Sequence, residues 1–208
     1  DDACPRGTDG VRTCGLALLE AHGRVTIRQD ARSGLMHHKF LVADDARVWV
    51  ASANFTRNSF CTDWNNAIVV DRTEIVAAYL AVFRRLFVDG QFGPQTPADP
   101  VPTGGAYTVY FSPESPVSSP PLWFNEIVAS MESATTSIEI LLNAWTRPEM
   151  SAAAIAAHGR GVAVRAVVHD MYLDDAPAQA MLAAGIEVRA GPCHNKVMVV
   201  DDALVVTG

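Results

Sequence analysis

Hydrophobic and polar positions after residue 106 follow two alternating periods. Short apolar blocks and two-residue alternation predict strands, and longer stretches with three- and four-residue apolar spacing predict helices. The predicted strands are residues 107–111, 137–142, 161–168 and 186–189 and the two segments around residues 196 and 204; the predicted helices are residues 122–131, 150–158 and 178–184. This β-α-β-α-β order predicts an α/β fold with a mostly parallel sheet and helices on its faces.

Fewer helices and strands are predicted before residue 90. Residues 16–28 predict a short helix and a strand, which match two elements after residue 180. Asp71-Arg72-Thr73-Glu74 has the form of a capping box, with Asp71 as the N-cap. Residues 75–88 then carry apolar side chains at helical spacing, and Gly90 suits the end of that helix.

Residues 91–106 are rich in proline and glycine and predict a linker. The chain is therefore divided into a first unit, residues 1–90, and a second unit, residues 107–208. The two units share a repeated string that begins at His37 and again at His194. Seven of 15 aligned positions are identical, at an offset of 157 residues, and both copies contain His-x-Lys followed by four residues and Asp-Asp-Ala. This spacing indicates a duplicated half-domain.

Composition narrows the function. The chain is 49% hydrophobic, which excludes a disordered chain, and its net charge of −7 argues against a broad basic nucleic-acid surface. Of 16 basic residues only two are lysine, Lys39 and Lys196, and both lie in the repeated string. These two positions are expected to need a compact ammonium group, which arginine cannot supply.

The repeated string can form a reactive site. Residues two apart in a strand point to the same face, so His37 projects with Lys39 and His194 with Lys196. If the halves pack about a pseudo-two-fold axis, the pairs converge. Two imidazoles suit a nucleophile and a separate proton donor, and two ammoniums suit a phosphodiester. Metal binding by the histidines and nearby aspartates is the alternative, and the lysines argue against it because they repel a cation.

These strings resemble the HKD motif of the phospholipase D superfamily, His-x-Lys-x4-Asp-x6-Gly-Ser-x-Asn. After Asp44, the chain continues as Ala51-Ser52-Ala53-Asn54-Phe55-Thr56, with Ala51 where the family has glycine. In the second copy Gly208 takes that glycine position. Residues 159–165 also resemble a strand entry of the family. The resemblance implies duplicated α-β-α half-domains with mixed, mostly parallel sheets related by a pseudo-two-fold.

The resemblance also implies a metal-independent phosphodiesterase that uses no cofactor and forms a phosphohistidine. His37 is expected to attack phosphorus, and His194 to act as acid and then base. Lys39 and Lys196 are expected to hold the phosphoryl oxygens.

Ser52 and Asn54 are expected to bind the same phosphoryl oxygens. Asp44 and Asp201 are motif residues that are expected to organise hairpin turns. The family often carries an acidic residue some 25 to 30 positions after the motif histidine, where it orients an imidazole. Asp63 fits that slot, with Asn65 and Asn66 as weaker substitutes; a plain surface carboxylate is the alternative for Asp63. The equivalent residue of the second copy is expected beyond residue 208.

We expect a longer parent protein. Nothing in the first unit matches residues 107–169, so about 50 residues are expected before Asp1. The first unit also runs about 40 residues beyond the position that aligns with Gly208. Together these differences suggest a parent protein of roughly 300 residues. Cys4 and Cys14 enclose a turn-rich loop that a disulfide could close, and four cysteines favour a secreted or periplasmic protein; four free thiols are the alternative.

Three functions are compatible with these residues. The first is hydrolysis or phosphatidyl transfer on a phospholipid, with transient contact to a membrane surface and no stable protein partner. The second is a nuclease with the same chemistry, which the net charge disfavours. The third is an inactive binding or scaffold descendant, which the two intact His-x-Lys pairs disfavour.

Overall fold

The computed structural model describes residues 19–94, 106–114 and 117–208. Its strands are β1 (Phe40–Ala43), β2 (Arg47–Ala51), β3 (Ala67–Val70), β4 (Ser137–Leu142), β5 (Ala163–His169), β6 (Glu187–Gly191), β7 (Lys196–Val200) and β8 (Leu204–Thr207). Its α-helices are α1 (Arg57–Cys61), α2 (Thr73–Phe87), α3 (Leu122–Ser133), α4 (Pro148–Gly159) and α5 (Ala176–Ala183). The predicted α/β class is confirmed.

The second unit forms a five-stranded mixed sheet in the order β6-β5-β4-β7-β8. Helices α4 and α5 connect β4, β5 and β6, so these strands run parallel. β7 lies antiparallel to both β4 and β8. Parallel and antiparallel pairs are therefore equal in this sheet, and the described sheet of the first unit is antiparallel throughout. Two of the antiparallel pairs, β1 with β2 and β7 with β8, are joined by tight turns, which can join only antiparallel strands.

One face of this sheet carries the main core. Along β5, Val164, Ala166 and Val168 are buried, and Arg165 points to the opposite face, where it pairs with Glu139 at 2.6 Å. Helices α3, α4 and α5 cover the buried face. The helical side chains in this core are small or flexible and include Met131, Ala153, Ala154, Ala157, Ala178 and Met181. Alternation along β5 thus reflects one covered and one solvated face.

The first unit contains a three-stranded antiparallel sheet, β1-β2-β3. Helix α2 packs on one face, where Val48 is fully buried. Leu41 and Trp49, which pair across β1 and β2, lie on the other face, and Leu41 is 49% exposed. Their counterparts at the 157-residue offset are Met198 and Val206, and Met198 is only 2% exposed beneath the helices. Equivalent faces of the two units are therefore covered differently among the described residues.

Each repeated string turns at its two aspartates, as predicted. Asp44 and Asp45 join β1 to β2 with φ values of 54° and 51°. Asp201 and Asp202 join β7 to β8, both with φ of 53°. Two consecutive left-handed residues form the turn whose twist matches paired strands, and aspartate tolerates this conformation better than most residues.

Two predicted strands and one cap are wrong. Residues 107–111 form no strand, because Val109 and Phe111 pack their side chains against α2 without a neighbouring strand. Residues 25–28 also form no strand. Helix α2 has Arg72 as its N-cap in place of Asp71. Residues 1–18, with Cys4 and Cys14, and 95–105 of the linker lie outside the described residues. Within the described ranges, no helix combines the length and hydropathy of a membrane span.

Candidate active site

The two His-x-Lys pairs take the same local geometry at the start of equivalent strands. Lys39 lies next to the first residue of β1, and Lys196 is the first residue of β7. The Lys39 ammonium donates to the main-chain oxygen of His37 at 2.7 Å, and the Lys196 ammonium donates to that of His194 at 2.9 Å. Each lysine is thereby held beside the histidine of its own unit.

The charges of each pair act on the histidine of the other pair. Partial burial lowers the pKa of His37, and the positive charges of Lys39 and Lys196 lower it further. Burial likewise lowers the pKa of His194, followed by Lys196 and, more weakly, by Lys39 and His37. Burial also lowers the pKa values of both lysines. Each histidine is therefore close enough to the lysine of the opposite unit to be affected by its charge.

Asn65 binds the His194 ring from the other unit. The His194 Nδ1 atom lies 2.8 Å from Asn65 Oδ1. Asn65 Nδ2 donates to the main-chain oxygens of Ser59 at 2.8 Å and Asp63 at 3.4 Å, which fixes the direction of the amide. Because Oδ1 can only accept, His194 must carry a proton on Nδ1. In the neutral ring Nε2 is then unprotonated.

Backbone contacts on both sides of Asn65 join the two units. The His194 N–H donates to the Trp64 oxygen at 2.9 Å, and the Lys196 N–H donates to Asn66 Oδ1 at 3.0 Å. The Asn66 side chain also donates to Thr207 Oγ1 at 2.6 Å. We call these contacts between residues 64–66 and residues 193–207 the inter-repeat seam. The seam places the start of β7 against the end of the segment that leads into β3.

Ser52 and Asn54, both predicted to bind phosphate, lie in different environments. Ser52 is 1% exposed, its hydroxyl donates to Asn65 Oδ1 at 2.9 Å and it accepts from the Asn66 N–H at 3.0 Å. Asn54 is exposed, and its main-chain N–H donates to Ser59 Oγ at 3.2 Å. The Ser52 hydroxyl therefore helps to hold Asn65 and Asn66 in place, whereas the Asn54 side chain is open to solvent. Phosphate binding by either residue stays a prediction.

Asp201 organises local structure beyond its own turn. Its carboxylate accepts from the main-chain N–H groups of Thr135, Thr136 and Ser137 at 2.7–3.1 Å. These N–H groups hold the pKa of Asp201 far below its usual range. Asp44 is exposed, and no such set of donors surrounds it among the described residues. The motif aspartate of the second unit therefore anchors the start of β4.

Asp63 does not make the expected contact with an imidazole. Its carboxylate accepts from Ser59 Oγ at 3.3 Å, and its negative charge raises the pKa of His194 from a distance. Asn65, the weaker substitute in the sequence prediction, takes the hydrogen bond to His194. The register of the seam decides this, because Asn65 lies between the two residues that contact His194 N–H and Lys196 N–H.

His38 and two cysteines also lie near the motifs. The His38 ring packs edge-on against Phe40 and Phe111, on the opposite side of the strand from Lys39. Cys193 is a free, buried thiol, and burial raises its pKa, which disfavours the thiolate form. Cys61 is a free, exposed thiol. Across residues 19–94, 106–114 and 117–208, no cluster of three or more His, Cys, Asp or Glu side chains could hold a metal ion.

Comparison with known proteins gives matches over both units. A family model described as cardiolipin synthase, PLD-like domain, matches residues 13–87 and 127–208. The mitochondrial cardiolipin hydrolase of Xenopus laevis is 43% identical over 63 residues, and that of Xenopus tropicalis is 41% identical over 63 residues. These segments cover 30% of this chain and 30% of each curated relative. The crystal structure of Nuc from Salmonella typhimurium, a phospholipase D family member, is 31% identical, with a TM-score of 0.38 over 41% of this chain and 61% of that one.

Proposed function

Because this chain belongs to the phospholipase D superfamily, whose PLD-like domain matches most of its length, we propose that it cleaves phosphodiester bonds of phospholipids through a phosphohistidine. The observation that supports the proposal is the contact between the units at the motifs, where the His194 ring and the Lys196 N–H bind Asn65 and Asn66, and the charges of Lys39 and Lys196 both act on His37. In this proposal residues 1–90 and 107–208 are two phospholipase D-like repeats joined by a linker.

The chemistry uses the two histidines in sequence. The neutral His37 ring attacks phosphorus, so that a P–N bond forms and the P–O bond to the leaving alcohol breaks. His194 begins this step as an imidazolium, gives its Nε2 proton to that oxygen and becomes neutral. His194 then takes a proton from water or from an acceptor alcohol, whose oxygen attacks phosphorus and breaks the P–N bond. The products are a phosphoric monoester or a new diester, and both histidines return to their starting states.

The lysines support both steps. Lys39 and Lys196 carry charge that can balance the phosphoryl oxygens, and in a partly desolvated site such charges act more strongly than in water. Burial and, after it, the same charges lower the pKa of His37, which favours its neutral, nucleophilic form. Arginine in either position would present a planar fork that adapts less easily to a reorganising phosphorus centre.

Exposed apolar residues favour a lipid substrate. Leu35 and Met36, which directly precede His37, are 89% and 46% exposed. Trp64, whose carbonyl accepts the His194 N–H, is 53% exposed. Exposed apolar side chains beside a phosphodiester site suit contact with a membrane surface. The name of the curated relatives, cardiolipin hydrolase, is consistent with a phospholipid substrate.

The compartment stays a prediction. The prediction of a secreted or periplasmic location is based on the cysteine content alone. Cys61 and Cys193 are free thiols, and Cys4 and Cys14 lie outside the described residues.

The test compares vesicles that contain phosphatidylcholine and cardiolipin with single-stranded DNA. We expect head-group or diester cleavage in the vesicles, a loss of about 10²- to 10⁴-fold in His37→Ala and His194→Ala, and no effect of a chelator. His38→Asn is the matched control, since the second repeat has Asn195 at this position. Full activity in either alanine variant would refute the two-histidine mechanism. Cleavage of DNA alone would favour a nuclease, and cleavage of neither substrate by the parent protein would favour a scaffold.

A further inference from the structure

The Trp64 ring of the first repeat packs on Gly191, the last residue of β6 in the second repeat. A Cβ atom at Gly191 would lie 3.4 Å from Cζ3 and 3.8 Å from Cη2 of Trp64. The indole therefore lies where a side chain at position 191 would project. Part of the ring is covered in this way, and Trp64 is still 53% exposed. The glycine thus seats an indole of one repeat on a strand of the other and leaves much of that indole open to a ligand.

Two further rings of the second repeat lie beside Gly191. His169, the last residue of β5, is the register partner of Gly191. Register partners on neighbouring strands project to the same face of a sheet, so His169 projects beside the place that the Trp64 ring fills. The Tyr172 ring lies edge-on to the His169 ring, with 6.4 Å between the ring centroids. We call Trp64, His169 and Tyr172 the aromatic row.

The aromatic row begins at the candidate proton donor. The main-chain oxygen of Trp64 accepts from the His194 N–H at 2.9 Å. The row lies at the carboxyl ends of the parallel strands β5 and β6, which is the edge where open α/β sheets bind ligands. In the proposed function His194 protonates the leaving alcohol. That alcohol is therefore expected on the side of the site where His194 and Trp64 lie.

Negative charges flank the aromatic row. Asp63 directly precedes Trp64, and residues 170–175, which contain the tyrosine of the row, include three aspartates and no lysine or arginine. Arg189, the basic residue on β6, is paired with Glu187 at 2.6 Å. Aromatic rings attract cations, and nearby carboxylates add to this attraction. A nucleic-acid strand carries a negative charge on every phosphate and would be repelled by the same carboxylates.

We propose that the aromatic row is the subsite for the leaving alcohol, that it binds a head group with a positive charge on nitrogen, and that Trp64 is a specificity-determining residue. The two lysines of the motifs hold the phosphoryl oxygens, and the ammonium of the head group lies against the open part of the Trp64 ring. The identification of this head group as the leaving alcohol rests on the proposed function. Hydrolysis of phosphatidylcholine would consume water and give phosphatidic acid and choline.

Binding can be measured without turnover. Phosphocholine carries a phosphate and a quaternary ammonium, and 3,3-dimethylbutyl phosphate has the same shape with carbon in place of the nitrogen. In ¹H–¹⁵N NMR spectra the Trp64 indole signal, assigned by its loss in Trp64→Phe, should move when phosphocholine is added. We expect phosphocholine to bind at least about threefold more tightly than the uncharged analogue. Equal affinities would overturn the proposal, and tighter binding of adenosine monophosphate would replace it with a nucleobase subsite.

Two variants disturb the aromatic row in different ways. Trp64→Ala removes the indole, and Gly191→Val keeps the indole but places a side chain where its ring lies. In both variants the affinities for phosphocholine and the uncharged analogue should come within about twofold of each other. Phe60→Ala is the matched control, because Phe60 is a 58% exposed aromatic residue of the same repeat outside the row. A preference for phosphocholine that persists in both folded variants would contradict the role of Trp64.

Activity on short-chain lipids separates this proposal from the proposed function. Phosphatidylcholine and phosphatidylglycerol with short chains, used below the concentration at which micelles form, differ in head-group charge and present no membrane surface. The parent protein should cleave phosphatidylcholine with a kcat/KM about three- to thirtyfold higher, and Trp64→Ala should lose most of this preference. Equal cleavage of both lipids by the parent protein would overturn the subsite and support the proposed function. Charge-selective phosphocholine binding at Trp64 without cleavage of either lipid would support the binding subsite and overturn the proposed function.

Discussion

Replacing Met198 by alanine removes a side chain from the main core, and the chain contains its own control for this change. Met198 is 2% exposed and lies beneath the helices that cover the five-stranded sheet. Leu41 occupies the equivalent position in the first repeat and is 49% exposed. The same motif position is therefore buried in one repeat and half open in the other.

The two substitutions should differ in cost. Truncation of a buried methionine or leucine to alanine costs about 2–5 kcal/mol, which combines lost transfer energy with the cavity that remains. A fully buried leucine is stabilised by about 1.5–3 kcal/mol relative to an exposed one, so half exposure at Leu41 leaves about 1 kcal/mol to lose. We expect Met198→Ala to reduce the free energy of unfolding by at least about twice as much as Leu41→Ala.

Urea unfolding of both variants gives the comparison. Trp145 is 1% exposed in the same core as Met198, so its fluorescence reports the loss of this core, and far-UV circular dichroism reports the loss of secondary structure. Equal losses in the two variants would refute the reasoning, because they would mean that the outer face at Leu41 is covered in solution as Met198 is.

Three further predictions concern polar contacts. Asp201→Asn should lower the urea midpoint at pH 7, because the ionised carboxylate and its hydrogen bonds stabilise the fold. This difference from the parent protein should shrink as the pH falls below 3.8 and Asp201 becomes protonated. Asp44→Asn should show a smaller effect at either pH. Asn66→Ala should cost about 1–3 kcal/mol in the same titration, because it breaks two bonds of the seam and leaves the Lys196 N–H unpaired. Ser151→Ala should also cost about 1–3 kcal/mol, measured by urea unfolding, since the buried Trp145 indole N–H loses its 2.8 Å acceptor.

The sequence predicted elements well in both repeats, and the helix predicted over residues 75–88 spans Thr73–Phe87 in the structure. The strand predicted at residues 137–142 has these bounds in the structure, because apolar side chains there face a helical layer and the flanking residues turn the chain. Residues 107–111 have a similar apolar pattern without forming a strand. Phe111 is buried and Val109 is partly buried against α2. A pattern of apolar residues indicates which side chains are covered without showing whether a neighbouring strand is available.

The same distinction holds at the candidate site. His37, Lys39, His194 and Lys196 could be found because their spacing is local and repeated. The contact between Asn65 and His194 joins residues that are 129 positions apart, and it depends on how two segments align side by side. The distance from the motif histidine fits Asp63, Asn65 and Asn66 alike, so the prediction of Asp63 depends on its being the acidic residue among them.

If the proposed function is correct, the inter-repeat seam makes turnover depend on the association of the two repeats. Each repeat supplies one histidine and one lysine, and the ring of His194 is oriented by the opposite repeat through Asn65. Two separately produced pieces, one ending near residue 94 and the other starting near residue 106, would each contain half of the reacting groups. The rate of phosphodiester cleavage after mixing would then rise with the concentration of the piece in excess and reach half its maximum at the dissociation constant of the two pieces, so that turnover itself would report their association.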